Sequence, residues 1–176
     1  AGVGLDPQFV LPARIAWWAE RDPDRPFLQE VTGRSATYGE LLVEIRRWCT
    51  RLREHGVQPG DRLVSMLPVS IDAIALWLAA SCVGALEVPV NPDLRGSFLE
   101  HALRDPSPRW CFVRPEHRDL PGTVPVEGIE TIVVERDGSF AAASAPAVID
   151  AWPQPTDPCC VIYTSGTTGA SKGVVI

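Results

Sequence analysis

The chain has 176 residues and a formal net charge of −6, with 45% hydrophobic and 22% charged residues. This composition is ordinary for a globular protein, and the negative balance argues against a general nucleic-acid binder. No apolar run reaches the roughly 18 residues that a membrane-spanning helix needs, and no signal peptide is visible. The 5 cysteines are odd in number and lack metal-binding spacing, so we expect reduced thiols in a cytoplasmic protein without metal ligands in this chain.

The first third of the chain predicts a helix, a hairpin and a second helix. An apolar stripe predicts the first helix over residues 10–19, and two short runs around Thr32-Gly33 predict the hairpin. Thr37 followed by Glu40 predicts a capping box that opens the second helix, and Gly56 predicts its left-handed end. The predicted buried face of this helix comprises Leu41, Leu42, Ile45, Trp48, Cys49 and Leu52.

The middle of the chain alternates strands and helices. Ser70 predicts the start of a helix that is apolar on all sides and therefore buried. Strands are predicted over residues 62–67, 85–90, 109–113 and 129–134, and helices over residues 71–83 and 97–104. The connector after the last of these strands predicts one short helix near Val148. This alternation predicts an α/β fold with a mostly parallel sheet and helices on both faces, in which ligands bind beyond the carboxyl ends of the strands.

One stretch near the end of the chain carries most of the chemical information. Apolar runs over residues 159–163 and 174–176 flank it. Between them the order is Tyr163-Thr164-Ser165-Gly166-Thr167-Thr168-Gly169-Ala170-Ser171-Lys172-Gly173. Glycine lets backbone N–H groups converge on an anion, hydroxyls donate to phosphate oxygens, and lysine adds a compact positive charge. The stretch therefore predicts a loop that binds the phosphates of ATP and lies between two strands.

This loop differs from a Walker A loop. That pattern needs Gly, four residues and then Gly-Lys-Ser/Thr, whereas here Ser171 precedes Lys172 and Gly173 follows it. The residues after Gly173 predict a strand, so the nucleotide has no helix N-terminus on which to rest. A glycine-rich hairpin turn with one stray lysine is the plainer alternative. Against it, Lys172 is the only lysine among the 16 basic residues of the chain.

The stretch resembles the phosphate loop of the adenylate-forming enzymes, which include acyl-CoA ligases, luciferases and the adenylation domains of peptide synthetases. Their pattern is close to Tyr-Thr-Ser-Gly-Thr-Thr-Gly-x-Pro-Lys-Gly-Val, and this sequence departs from it at Ser171, where the family usually has proline. Serine loosens the loop there but removes no phosphate contact. Residues 37–41 resemble the family's Thr-Tyr-x-Glu-Leu motif. Residues 83–92 resemble a segment of acyl-CoA ligases, although a strand end and an Asx-Pro turn also explain them.

The resemblance implies that residues 1–176 form the N-terminal part of the family's large domain. It also implies ATP, Mg²⁺ and coenzyme A as cofactors, with Lys172 as the catalytic residue that neutralises the leaving pyrophosphate. The implied ATP-binding residues are Thr164, Ser165, Gly166, Thr167, Thr168, Gly169 and Lys172. The family's adenine-, ribose- and Mg²⁺-binding motifs and its small C-terminal domain are absent from this chain. We therefore expect one piece of a longer or two-piece protein, inactive alone, with the remainder docked beside it.

Three functions are consistent with these features. The first is an acyl-CoA ligase near the fatty-acid and carnitine/crotonobetaine branch, which activates a carboxylic acid as acyl-adenylate and transfers it to coenzyme A. The second, in the same class, loads the acid onto a carrier-protein thiol. The third is a non-catalytic remnant that serves as a binding module, and the intact loop argues against it.

Overall fold

The computed structural model describes residues 10–164 and 172–176 of the chain. Its helices are α1 (Leu11–Arg21), α2 (Tyr38–Glu54), α3 (Ile71–Cys82), α4 (Gly96–Arg104) and α5 (Ser139–Ala142). Its strands are β1 (Pro26–Gln29), β2 (Ser35–Thr37), β3 (Arg62–Met66), β4 (Leu86–Pro89), β5 (Trp110–Val113), β6 (Glu130–Val133), β7 (Val161–Thr164) and β8 (Lys172–Val175). Within these described ranges, no helix has both the length and the apolar character needed to cross a membrane.

Four strands form a parallel sheet in the order β4-β3-β5-β6. Because successive side chains of a strand face opposite sides, Leu63 of β3 enters one apolar cluster and Val64 enters the other. Helices α2, α3 and α5 contribute to the cluster around Leu63, whereas α4 contributes to the cluster around Val64. The predicted α/β class, with helices on both faces of a parallel sheet, is therefore confirmed.

Helix α2 forms as its local sequence signals predict. The backbone N–H of Glu40 donates to the Thr37 hydroxyl at 3.2 Å, and the backbone N–H of Thr37 donates to the Glu40 carboxylate at 2.9 Å. Gly56 follows the helix with a φ of +75°, in the left-handed region. All six residues of the predicted apolar face are buried. Capping, periodicity and the terminal glycine thus agree with the tertiary packing of this helix.

A buried ion pair lies where the sequence predicts only apolar packing. Asp72 and Arg114 approach to 2.9 Å, and their side chains are 2% and 3% exposed. Arg34 contacts the second carboxylate oxygen of Asp72 at 3.1 Å, and Arg114 also donates to the carbonyls of Val134 and Glu135. Buried charges require such partners. The network joins the start of α3 to the end of β5 and to the β1–β2 hairpin.

The connector after β6 differs from the prediction. Its short helix is α5 rather than a helix near Val148, which is exposed and non-helical. Phe140 of α5 packs against Trp48 and Phe112, with ring centroids 4.9 Å and 6.2 Å apart. The short helix thus carries a partly buried ring onto the core. Ala147 and Ile149, on either side of Val148, pack against the same cluster without a helix.

Candidate functional site

The predicted phosphate loop is flanked by β7 and β8, which pair in antiparallel fashion. Their Cα pairs run from Val161 and Val175 to Thr164 and Lys172. The two flanking strands are therefore as predicted, and two of the predicted site residues, Thr164 and Lys172, lie opposite each other. The remaining predicted site residues lie outside the described residues: Ser165, Gly166, Thr167, Thr168 and Gly169.

The two faces of β7 differ in burial, whereas β8 is exposed along its whole length. Val161 is buried in the cluster around Val64, to which α4 contributes, and Tyr163 packs against the same cluster. Ile162 is 41% exposed and Val174 is 48% exposed. Because side chains alternate along a strand, Thr164 and Lys172 lie on the open face, away from α4. Lys172 is exposed, so its ammonium group is accessible to an anionic ligand.

Tyr163 connects the strand pair to α4. A Cβ atom on Gly173, its strand partner, would lie 3.3 Å from Tyr163 Cζ, so the ring occupies the space left by the missing side chain. The Tyr163 hydroxyl donates a hydrogen bond to Asp105 Oδ2, and the His101 ring meets the tyrosine edge-on at 6.0 Å. Partial burial and the hydrogen bond to Asp105 both raise the pKa of Tyr163. The hydroxyl therefore remains a donor at neutral pH.

Strand β7 meets the large sheet through a bridge at its first end. Cys160 pairs in parallel with Glu87 of β4, and the Glu87 side chain is buried. Burial raises the pKa of Glu87 to about 7, while a hydrogen bond with Ser65 acts in the opposite direction. Burial also raises the pKa of the Cys160 thiol to about 12. A titratable carboxyl group thus lies at the junction between the sheet and the strand that leads to the loop.

The described part of the chain holds two of the predicted phosphate-binding residues and no cluster of metal ligands. No group of three or more His, Cys, Asp or Glu side chains within residues 10–164 and 172–176 could hold a metal ion. All five cysteines belong to these residues and are free thiols. The Sγ atoms of Cys159 and Cys160 are 3.9 Å apart, well beyond the length of a disulfide bond.

Two residues beside the site are absent from the sequence prediction. Glu87 has a visible signal, since a carboxylate in an apolar strand either lies on an exposed edge or has a shifted pKa. Asp105 has no local signal, because it lies 58 positions from Tyr163 in the chain. Only the packing of α4 beside β7 brings Asp105 to Tyr163.

Residues 15–176 match the family described as AMP-binding enzyme. The chain is 34% identical over 172 residues to the fatty acid–acyl-carrier-protein ligase ScoC of Streptomyces coeruleorubidus. The aligned region covers 95% of this chain and 33% of that protein. It is 32% identical over 168 residues to a 4-chlorobenzoate–CoA ligase of Arthrobacter, covering 92% of this chain and 32% of that protein. The crystal structure of ATP-bound MatB from Rhodopseudomonas palustris superposes with a TM-score of 0.81 at 27% identity, over 94% of this chain and 34% of that chain. The chain therefore spans about a third of the length of these relatives.

Proposed function

Because this chain belongs to the family of AMP-binding, adenylate-forming enzymes, we propose that it supplies the phosphate-binding segment of an ATP-dependent acyl-CoA ligase. The observation that carries this proposal is the pairing of Thr164 with Lys172 at the two ends of the glycine- and hydroxyl-rich segment. This pairing brings both ends of the segment together on one strand pair. The segment itself holds the donors that a triphosphate requires.

The proposed reaction has two steps. A carboxylate oxygen of the acid attacks the α-phosphorus of ATP, the bond from that phosphorus to the bridging oxygen breaks, and pyrophosphate leaves. The sulfur of coenzyme A then attacks the acyl carbon and displaces AMP to form the thioester. Charge on the leaving pyrophosphate increases in the first step alone. Groups that hold the β- and γ-phosphates therefore accelerate adenylation specifically, by positioning and by electrostatic stabilisation.

Each residue of the segment has a proposed role in that first step. Lys172 neutralises the leaving pyrophosphate, since its exposed ammonium group lies on the open face of the strand pair. Backbone N–H groups at Gly166 and Gly169 cradle the phosphates. The proposed hydroxyl donors to phosphate oxygens are Thr164, Ser165, Thr167 and Thr168.

The remaining parts of the reaction are assigned to the portion of the enzyme outside this chain. These parts are the adenine and ribose sites, the Mg²⁺ ligands and the acyl pocket. Coenzyme A is the proposed acceptor, supported by the similarity to the 4-chlorobenzoate–CoA ligase. A carrier-protein thiol is the second candidate acceptor, favoured by the similarity to ScoC. Five free cysteines support a reducing, cytoplasmic location.

Substitution of Lys172 by alanine in the full-length enzyme tests the proposal. Adenylation, followed by ATP–pyrophosphate exchange with a panel of carboxylic acids, should slow by about 10- to 1000-fold, the scale of one transition-state contact. Thioester formation from preformed acyl-adenylate should remain near the wild-type rate, because pyrophosphate has already left. Arg118→Ala removes another exposed positive charge and serves as the matched control.

Two results would count against the proposal. An equal loss in both half-reactions would show that Lys172 does not act on pyrophosphate. If the wild-type enzyme binds ATP in a titration but shows no pyrophosphate exchange with any acid of the panel, it is a non-catalytic binding module. If exchange is observed, comparison of coenzyme A with a carrier protein as acceptor separates the two ligase functions.

A further inference from the structure

Tyr163 belongs to the strand pair position next to both ends of the predicted phosphate loop. It precedes Thr164 in β7, and its strand partner Gly173 follows Lys172 in β8. A Cβ at Gly173 would lie 2.8 Å from Val161 Cγ1 and 3.3 Å from Tyr163 Cζ. The aromatic ring therefore packs against the glycine backbone and favours a single register between the strands. A slip of one residue would separate Thr164 from Lys172.

The hydroxyl of Tyr163 is held by a residue from another layer of the fold. It donates to the carboxylate of Asp105, the residue that ends α4. A carboxylate at a helix C-terminus is unfavourably placed with respect to the helix dipole, so capping does not explain an aspartate at this position. A hydrogen bond from the Tyr163 hydroxyl does explain it, because charge-assisted hydrogen bonds are stronger than neutral ones.

Asp105 is presented by a stiff turn. Pro106 and Pro108 are both buried and have fixed φ angles. Between them, Ser107 has a φ of +47° and is the one non-glycine residue with a positive φ in the described part of the chain. Its backbone N–H and its hydroxyl both donate to the carbonyl of Arg104. Strained backbone of this kind persists only where the surrounding structure maintains it.

Helix α4 anchors this turn to the sheet. The helix buries three apolar side chains in the cluster around Val64: Leu99, Ala102 and Leu103. A continuous set of packed contacts therefore runs from the parallel sheet through α4 and Asp105 to Tyr163. Beyond its bridge to β4, strand β7 is thus held from the side at the residue next to the loop.

We propose that Asp105 and Tyr163 form a positioning pair, which holds the β7–β8 ends in the geometry that binds the phosphates of ATP. This inference rests on the proposed function. Neither residue touches the reacting atoms, since both act through the placement of Thr164 and Lys172. Loss of the hydrogen bond weakens productive ATP binding and leaves the acid site and the second half-reaction unchanged.

The test uses four variants of the full-length enzyme. Tyr163→Phe keeps the ring over Gly173 and removes only the hydroxyl, Asp105→Ala removes the acceptor, and the double variant combines both changes. Asp105→Asn keeps an oxygen acceptor. We expect the first three to raise the KM for ATP in pyrophosphate exchange by about tenfold, the upper scale of one partly exposed hydrogen bond to a charged group. Asp105→Asn should recover most of that loss.

The double variant should resemble the single ones, since residues that act through one contact are not additive. Glu100→Gln is the matched control, because it removes the ion pair with Arg104 on the same helix without touching Tyr163. It should leave the KM for ATP unchanged. The KM for the acid and the rate of thioester formation from preformed acyl-adenylate should stay at wild-type values in all variants.

Three results would overturn the positioning pair: an unchanged KM for ATP in Tyr163→Phe, equal losses in both half-reactions, or additive effects in the double variant. Failure of the proposed function has a different signature, namely no pyrophosphate exchange by the wild-type enzyme. In that case hydrogen exchange at residues 161–164 and 172–176 tests whether Asp105 and Tyr163 hold the two strands in place. Faster exchange in Tyr163→Phe than in Glu100→Gln supports the positioning pair, and equal exchange overturns it.

Discussion

Replacement of Glu87 by glutamine should stabilise the junction between β4 and β7 at alkaline pH. Glu87 is 5% exposed, and its neighbour across the bridge is the buried Cys160. Burial raises its pKa from 4.5 to about 7, despite the opposing hydrogen bond with Ser65. Glutamine has nearly the same shape and carries no charge at any pH, so the variant removes only the cost of ionisation.

The sign follows from proton linkage. Below pH 4.5 both the folded and the unfolded chain hold the proton, and ionisation costs nothing. Between pH 4.5 and about 7 the unfolded chain loses its proton first, so the stability of the fold decreases as the pH rises. Above the folded pKa the loss is complete at about 3 kcal/mol, from the difference between 4.5 and about 7. Glu87→Gln should therefore be more stable than wild type by about 1 kcal/mol at pH 5 and about 3 kcal/mol at pH 8.

Native-state hydrogen exchange of the full-length protein measures this difference at β4. A protection factor is already corrected for the intrinsic exchange rate of its own sequence at each pH, so the ratio of the protection factors of variant and wild type reports the change in stability. That ratio should increase by roughly 50-fold from pH 5 to pH 8. Glu127→Gln, an exposed glutamate before β6, should show a ratio near one at both pH values. A ratio for Glu87→Gln that does not change with pH would refute the reasoning.

Two further predictions concern contacts described above, and a third concerns the proposed function. Asp72→Ala leaves the buried Arg114 guanidinium without its carboxylate and should lower the free energy of unfolding by about 3–5 kcal/mol in urea titrations; Asp72→Asn, which keeps an acceptor, should lose less, and equal losses would contradict the charge argument. Thr37→Ala removes one half of the capping box and should cost about 1 kcal/mol in the same assay, whereas no change would mean that α2 is held by packing alone. Residues 1–176 alone should form no acyl-adenylate, because the proposed function assigns the adenine, ribose and Mg²⁺ sites to the rest of the enzyme; pyrophosphate exchange by this chain would disprove that assignment.

The sequence by itself determines the local elements and predicts the chemistry of the loop. Helix α2 could be predicted with its cap, its buried face and its terminal glycine, because each signal acts over a few residues. The phosphate loop is likewise recognisable from consecutive residues, and the strands on both sides of it are confirmed. The roles of residues 164–169 and of Lys172 remain predictions from that pattern.

The tertiary structure alone decides what holds these elements in place. Asp72 meets Arg114 across 42 positions, and Asp105 meets Tyr163 across 58. Phe140 of α5 packs against Trp48 of α2, and the raised pKa of Glu87 depends on which strands cover it. Such contacts carry no local periodicity, since their partners come together only when helices and strands pack. Adjacent residues therefore predict the chemistry of the loop, whereas the loop is supported by side chains that are distant in the chain.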